Sequence, residues 1–359
     1  MRWSWGHLVL RVLLGAACGV MLALLLEAKL GALKPPGPQP HLKSRSPLHP
    51  PIPITPLAPD TLDVPMEIFS EQFLTLNMAV VTYPYSYPFL INHPDKCQGD
   101  TAPFLLMLVM TQPQESEARE AIRTTWGDEA IVPNVTIRRL FVLGLSPPHL
   151  HRHLQYLLER EDAENQDLLQ VGFLDTYSNL TLKTLMGLEW VSRHCQTAQY
   201  VLKVDGDVFL NPSFLVHQVL QPEGPPRPAF ITGYIYKKRM PVRKPNYKWY
   251  MPREVFPGII YPPYCGGAGY VMSGCLALKI LAVAQKIKAI YLEDVFVGLC
   301  LKHLRVKPTP SSLDSFQFFG REYERCDFNQ LAIVHPIKPV DLLWIWMDFQ
   351  KANTTCPPS

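Results

Sequence analysis

The chain has no large excess of charge of either sign. Its 359 residues include 34 Lys and Arg against 31 Asp and Glu, which gives a formal net charge of +3 at pH 7. Proteins that bind the phosphate backbone of nucleic acids usually present a strongly basic face or domain. We therefore expect no nucleic-acid partner.

Cysteine pairs of the metal-binding type are also absent. None of the eight cysteines stands in a CxxC pattern, so disulfides in an oxidising compartment are favoured over a zinc site. One cysteine lies in an apolar N-terminal segment, and seven follow it: Cys97, Cys195, Cys265, Cys275, Cys300, Cys326 and Cys356. Because seven is odd, at least one of them is predicted to stay free or to pair between chains.

Charged residues are nearly absent between Leu8 and Leu26, where Arg11 is the only one. The run from Val12 to Leu26 has no polar side chain and is long enough for a thin bilayer. The weak bias of positive charge before this run predicts a cytoplasmic tail at 1–7, a transmembrane signal-anchor at 8–26 and type II topology. A cleaved signal peptide is the alternative, but the residues after Leu26 do not match a cleavage site.

Prolines are concentrated between Lys34 and Pro65. Such a density favours an extended chain, which predicts a lumenal stem at 27–94, although a spacer without a task would look the same. The aromatic segment VVTYPYSYPFLIN is predicted to pack on the domain that follows at 95–359. The sequons at Asn134, Asn179 and Asn353 are predicted glycosylation sites and agree with a lumenal domain.

Short apolar runs alternate with amphipathic stretches from Pro103 onward. FLLMLVM (104–110) has no polar alternation, as expected of a strand covered on both faces, and a helical pattern follows it. The series predicts an α/β fold with a mostly parallel central sheet flanked by helices. In such sheets ligands bind outside the carboxyl ends of the strands.

Two aspartates follow the apolar run YVLKV at that predicted edge. Asp205 and Asp207 are two residues apart, so in an extended segment both can face one cation. Carboxylates suit Mg²⁺ or Mn²⁺, which bind through one or two of them plus a substrate diphosphate. The spacing favours a nucleotide-linked substrate, while a solvated turn is the alternative reading.

Further candidate residues lie downstream. Glu293 and Asp294 open an amphipathic helix, where they could serve the helix dipole or place a carboxylate to accept a proton from a hydroxyl. His335 ends a short apolar strand and is a candidate third metal ligand, or a structural histidine.

Trp249 and Tyr250 adjoin a basic segment and are candidates for an acceptor platform. The glycines of YPPYCGGAGYVMSG (261–274) predict either a close approach to a ligand or a tight loop.

Several segments together resemble one family, in this order: DKC, EAIRTTWGDE, RLFVLG, DTYSNLTLKTLMGLEWV, YVLKVDGDVFLN, FITGY, KWYMPRE, YPPYCGGAGYVMSG and LEDVFVGLC. The chain resembles the β1,3-galactosyltransferases of the Golgi and their β1,3-N-acetylglucosaminyltransferase relatives. The resemblance covers roughly residues 95–335. Through INHPDKC, KWYMP and LEDVFVG it is most similar to the branch that includes the type 1 and type 2 galactosyltransferases.

The resemblance implies a GT-A fold, a UDP-galactose donor, Mn²⁺, inversion at the anomeric carbon and a Golgi membrane location. By position, Asp205 and Asp207 match the motif that holds metal and nucleotide, Asp294 the proposed catalytic base, and His335 a histidine near the metal. Arg119 and Arg123 are assigned to UDP, and Trp249, Tyr250 and Glu293 to the acceptor. The implied acceptor is a sugar on a glycoprotein or glycolipid, and oligomers with the same or other glycosyltransferases are expected.

The chain departs from the family where CSGTGY is common, because it reads CGGAGY and so lacks two hydroxyls at Gly266 and Ala268. This change suggests one alternative, a catalytically weak lectin-like partner of an active transferase. Two others stay open: transfer of N-acetylglucosamine, and a metal-dependent nucleotide-sugar hydrolase, for which the two aspartates are equally suitable.

Overall fold

The computed structural model describes residues 87–99, 101–224, 227–311, 314–351 and 356. The predicted anchor, most of the predicted stem and Asn353 lie outside them. Within the described residues no helix is both long and apolar enough to cross a membrane.

A mixed central sheet forms the middle of the described domain. Its strand order is β1-β4-β3-β2-β5-β8-β7. Strands β4, β3, β2 and β5 run parallel to one another, while β1 pairs antiparallel with β4, β8 with β5, and β7 with β8. The strands are β1 Phe89–Ile91, β2 Leu105–Met110, β3 Ile137–Leu145, β4 Leu168–Leu174, β5 Tyr200–Asp205, β7 Ile231–Tyr236 and β8 Tyr264–Ser273. The predicted parallel pairing holds for the middle of the sheet and is wrong for its edges.

A small second sheet, in the order β6-β10-β9, is built from three two-residue strands. They are β6 Phe209–Leu210, β9 Phe316–Gln317 and β10 Ile333–Val334. Strand β10 pairs antiparallel with β6 and parallel with β9.

Helices cover both faces of the central sheet. They are α1 Ser116–Arg123, α2 Pro148–Asn165, α3 Leu180–His194, α4 Pro212–Phe214, α5 Gly274–Ala284, α6 Glu293–Leu304, α7 Arg325–Asn329 and α8 Pro339–Phe349. A 3₁₀ turn, Tyr177–Asn179, precedes α3, and α4 continues into a π-helical segment, Leu215–Leu220.

Strand β2 shows why the domain has layers. All six of its residues are buried, as the sequence predicts for FLLMLVM. Leu105, Met107 and Val109 join one hydrophobic cluster with side chains of α1, α2 and α8. The alternate residues join a second cluster with α3, α5 and α6. Side chains alternate across a strand, so one apolar run serves both faces.

Part of the segment assigned to the stem lies in the central sheet. Strand β1 lies inside the segment assigned to the stem, yet it pairs with β4 and forms part of the central sheet. Tyr87 and Phe89 pack against Val171 and Phe173. The predicted packing of the aromatic segment is thus confirmed for its described residues.

Disulfides are present, as predicted. Cys97 is bonded to Cys195 and Cys326 to Cys356, across 98 and 30 residues of chain. Among the described residues Cys265, Cys275 and Cys300 are free thiols.

Candidate active site

The two aspartates lie at the carboxyl end of β5, but they have different partners. Asp205 is the last residue of the strand and its Oδ1 accepts a bond of 2.6 Å from Nζ of Lys203. Asp207 follows in the loop to β6, and its Oδ2 lies 3.4 Å from Nε2 of His335. The position of Asp205 at the strand end is confirmed, and the binding of one cation by both carboxylates stays a prediction.

The small sheet explains how His335 reaches Asp207. Strands β6 and β10 are antiparallel, and Val334 stands opposite Phe209. The residue that follows β10 therefore meets the residues that precede β6. The backbone N–H of Ile337 also donates to the carbonyl of Asp207 at 2.8 Å. The sequence showed His335 after a strand, but not that this strand pairs beside Asp207.

The pair is mutually stabilised in its charged form. Burial would raise the pKa of Asp207, but the hydrogen bond and charge of His335 hold it below its ordinary value. Burial would lower the pKa of His335, and Asp207 raises it above the usual range. Once His335 has lost its proton, its ring nitrogen and the Asp207 carboxylate are ligands of a kind that first-row divalent cations bind.

Asp207 and His335 fit a cation whose remaining ligands come from the substrate. Within the described part of the chain no three His, Cys, Asp or Glu side chains stand close enough together to hold a metal ion. Mg²⁺ and Mn²⁺ sites commonly use only one or two carboxylates, with diphosphate oxygens and water as the other ligands. Asp207 with His335 meets that requirement, because the Asp207 side chain is 56% exposed.

Glu293 and Asp294 stand in the first turn of α6, as predicted. Oδ1 of Asp294 accepts from the N–H of Val295 at 2.8 Å. Burial raises the pKa of Asp294 to about 7, and the neighbouring carboxylate of Glu293 adds to the rise. Asp294 is only partly buried, so it can reach a substrate. A carboxylate with a pKa near the working pH is suited to accept a proton from a hydroxyl.

A buried lysine, which the sequence analysis did not single out, connects the two groups of carboxylates. The side chain of Lys203 in β5 is 4% exposed. Besides Asp205, its ammonium donates to the carbonyl of Gly267 in β8 and lies 3.8 Å from Oε2 of Glu293. Burial would lower the pKa of Lys203, but Asp205 and Glu293 raise it above its ordinary value. The hydroxyl of Tyr270 donates to the other oxygen of Glu293.

Tyr177 is a second site residue that the sequence analysis missed. Burial raises its pKa to about 12, and the charge of Asp294 adds to this effect. Nζ of Lys248 lies 4.7 Å from the centre of the Tyr177 ring, so the basic segment approaches the site here. Trp249 follows Lys248 and is 56% exposed, whereas Tyr250 is partly buried. Their assignment to the acceptor stays a prediction.

Arg119 and Arg123 lie in a buried ion-pair network. Both bond to Glu161, at 2.7 and 2.6 Å, and Arg123 also bonds to Asp167, which pairs with Arg139. Burial would raise the pKa of Glu161, but the two guanidinium groups hold it below its ordinary value. The Arg119 side chain is fully buried, and its remaining donors face the carbonyls of residues 112 and 113. Both arginines thus take part in a stabilising network, and their contact with UDP stays a prediction.

The asparagines of the two described sequons lie in different environments. Asn134 is exposed, while the side-chain amide of Asn179 donates to the carbonyl of Leu174 at 2.8 Å. Glycosylation at both, and at Asn353 outside the described residues, stays a prediction.

Comparison with known proteins decides the family. The family model described as Galactosyltransferase matches residues 117–312, more than half of the chain. This span includes Asp205, Asp207, Glu293 and Asp294. The chain belongs to the galactosyltransferase family.

Relatives within this family match over most of the chain. Beta-1,3-galactosyltransferase 2 of Mus musculus is 42% identical over 268 residues, which is 74% of this chain and 63% of that protein. Beta-1,3-galactosyltransferase 1 of Mus musculus is 40% identical over 274 residues, 76% of this chain and 82% of that protein. The chain therefore spans somewhat less than two thirds of the type 2 relative. Among solved structures, the WbbM bifunctional glycosyltransferase has a TM-score of 0.32 at 10% identity over 59% of this chain and 39% of its own, too low to carry an argument.

Proposed function

We propose that this family member is an inverting β1,3-galactosyltransferase. It moves galactose from UDP-galactose to the 3-hydroxyl of an acceptor sugar, such as N-acetylglucosamine on a glycoprotein or glycolipid. The observation that carries the proposal is Asp294, a partly buried residue in the first turn of α6 whose carboxyl pKa is raised to about 7. Membership of the galactosyltransferase family supports the choice of donor.

The reaction is a single displacement. The carboxylate of Asp294 takes the proton of the acceptor 3-hydroxyl while that oxygen forms a bond to C1 of the donor galactose. The bond from C1 to the diphosphate oxygen breaks on the opposite face, and its electron pair leaves with UDP. Attack from the face opposite the α-linked diphosphate gives a β linkage.

The other residues of the site hold the reacting groups in place. Asp207 and His335 would hold Mn²⁺, which supplies Lewis-acid stabilisation to the diphosphate. Lys203 lies close to both Asp205 and Glu293, so its positive charge offsets part of the repulsion among the carboxylates of this region. Glu293 is next to Asp294 in the chain, and the charge of its carboxylate contributes to the raised pKa of Asp294.

A location in the Golgi membrane belongs to the same proposal. The apolar run at 8–26 anchors the chain in type II orientation, and the described domain, of GT-A type, faces the lumen. The two disulfides are consistent with an oxidising compartment.

Asp294→Asn tests the proposed base. The amide keeps the shape of the side chain but cannot accept the proton, so transfer of galactose should fall about 10²- to 10⁴-fold. The measurement is the rate of product formation by the purified full chain with UDP-galactose, Mn²⁺ and a β-linked N-acetylglucosamine acceptor. Glu322→Gln, an exposed carboxylate outside the site, is the matched control. Transfer by Asp294→Asn at the wild-type rate would refute the assignment.

A further inference from the structure

Four aromatic side chains gather beside strand β8. Tyr234 and Tyr236 come from β7, and Phe318 and Phe319 follow β9. The rings of Tyr234 and Phe318 are stacked, with centroids 5.4 Å apart and planes 25° from parallel. Tyr234 also meets Tyr236 at 5.0 Å and Phe319 at 5.3 Å, both edge to face. We name these four side chains the aromatic wall.

Gly266 is what allows Phe318 to lie in the wall. A Cβ atom at this position would stand 2.5 Å from the Phe318 ring and 3.0 Å from the Tyr236 ring. Real Cβ atoms do not approach aromatic carbons so closely, so any larger residue must displace the ring. The resembled family commonly has serine at this position. The glycine here does more than remove a hydroxyl, because it leaves the space that the Phe318 ring occupies.

The wall lies near both chemical centres of the site. The Phe318 ring is 6.0 Å from the ring of His335, which pairs with Asp207. Gly267, the neighbour of Gly266 in β8, lies near the base, because a Cβ atom there would stand 3.7 Å from Cβ of Asp294 and 3.8 Å from its Oδ2. A molecule that touches the wall is thus within reach of both the diphosphate side and the base.

The exposure of the wall suits a ligand with an apolar face. Phe319 is 66% exposed, and the other three rings are partly exposed. Large aromatic surfaces left open beside a catalytic carboxylate are available for stacking. A hexopyranose ring has a face of C–H groups that stacks on such rings while its hydroxyls point to polar partners.

We propose that the aromatic wall is the subsite for a hexopyranose ring, and that Gly266 makes this subsite possible by admitting Phe318. The ring is either the transferred sugar of the donor or the acceptor sugar, since both meet beside Asp294. The inference rests on the proposed function and adds to it the residues that recognise the sugar.

Phe319→Ala and Phe318→Leu test the wall by steady-state kinetics with the purified full chain. Phe319→Ala removes an exposed ring and should leave the fold intact. Loss of one stacking ring should raise KM about 3- to 10-fold. A rise in KM for UDP-galactose assigns the wall to the donor sugar, and a rise in KM for the acceptor assigns it to the acceptor. Tyr156→Ala, which removes a 59% exposed ring on α2, is the matched control.

Gly266→Ser tests the role of the glycine, because its Cβ must displace Phe318. The same KM should rise as in Phe318→Leu, and the double variant should be no worse than the more affected single variant. Additive effects of the two changes would overturn the coupling of Gly266 to Phe318.

Binding measured by calorimetry separates this inference from the proposed function. The wall variants should weaken binding of UDP-galactose or of the acceptor, and leave binding of UDP with Mn²⁺ unchanged. Weaker binding of UDP alone would mean that the wall stacks the uracil base, which overturns the inference, as would unchanged KM and affinity in every variant. Because binding needs no turnover, a wild-type chain without transfer activity would refute the proposed function and still leave the wall testable.

Discussion

Asp294 is the residue whose environment most directly suggests chemistry. A solvated aspartate is ionised at neutral pH and is a weak base, whereas burial and a neighbouring carboxylate disfavour its charge. In Asp294 both causes act together, with burial the larger, and the pKa rises to about 7. The backbone N–H of Val295 in the first turn of α6 and the charge of the buried Lys203 favour the ionised carboxylate, and so they limit the rise in the pKa of Asp294.

This pKa predicts the pH dependence of the reaction. Only the deprotonated carboxylate of Asp294 can accept the hydroxyl proton, so kcat/KM should rise as the pH increases through about 7 and then level off. The measurement is kcat/KM for UDP-galactose between pH 5 and 9 at constant ionic strength.

Glu293→Gln is the companion variant for the pH profile. It removes the like charge beside Asp294, so the rise should move to lower pH. A wild-type profile that stays flat down to pH 5 would contradict the predicted pKa.

Several site residues could be found from the sequence because their signals are local. Asp205 at a strand end and Asp294 in a first helical turn follow from periodicity and from the resemblance. Arg119 and Arg123 show the limit of such reasoning, since their partners Glu161 and Asp167 come from another element some 40 residues away. The sequence also contained a local signal for Lys203. A lysine in an apolar strand, two residues before Asp205, faces the same side of the sheet as Asp205 and needs a partner for its buried charge.

At the scale of elements, Lys203 joins three of them. It lies in β5, donates to the backbone of β8 and reaches Glu293 in α6. Strands β5 and β8 pair antiparallel, with Lys203 opposite Tyr270, which itself bonds to Glu293. The ammonium of Lys203 therefore helps to fix the position of Asp294, next to Glu293, relative to Asp205 at the end of β5.

Lys203→Met should therefore destabilise the domain. The change leaves Asp205 and Glu293 without their cation, and loss of one partner of a buried ion pair costs about 3–5 kcal/mol. The measurement is the free energy of unfolding from chemical denaturation. Arg193→Met removes the half-exposed partner of Glu189 and should change it by less than about 1 kcal/mol. Equal effects in the two variants would contradict the role of Lys203.

The glycine-rich segment shows why element boundaries are harder to predict than element types. The sequence left open a tight loop before the strand GYVMS, whereas Gly266, Gly267 and Gly269 lie in β8 itself and Gly274 begins α5. Glycine usually weakens a strand, but Gly266 and Gly269 have rings or side chains packed directly on their backbone. Those neighbours come from β9 and β10 regions far along the chain, so no local pattern reveals them.

At the scale of the whole molecule, the order of strands was only partly predictable. Alternating apolar runs and helices indicate parallel strands, and β4, β3, β2 and β5 follow that rule. Strand β1 enters from the predicted stem, and β8 inserts between β5 and β7 in the opposite direction. Pairing between segments some 70 residues apart depends on tertiary contacts that hydrophobic periodicity does not encode.

The disulfides act on the whole molecule because each closes a loop. The bond from Cys97 to Cys195 closes 98 residues and ties the segment after β1 to the end of α3. Replacing both cysteines by serine should lower the free energy of unfolding by about 2–5 kcal/mol. The Cys326 and Cys356 pair, which closes 30 residues, should give a smaller loss in the same denaturation experiment. A larger loss for the shorter loop would contradict this order.

The proposed activity has one defining product, a galactose joined by a β1,3 linkage. The most direct measurement is therefore nuclear magnetic resonance of the material formed when the purified full chain is incubated with UDP-α-galactose, Mn²⁺ and a β-linked N-acetylglucosamine acceptor. The account predicts a new β-anomeric galactose signal with a correlation to C3 of the acceptor. Release of free galactose and UDP with no new linkage, or an α-anomeric product, would contradict it.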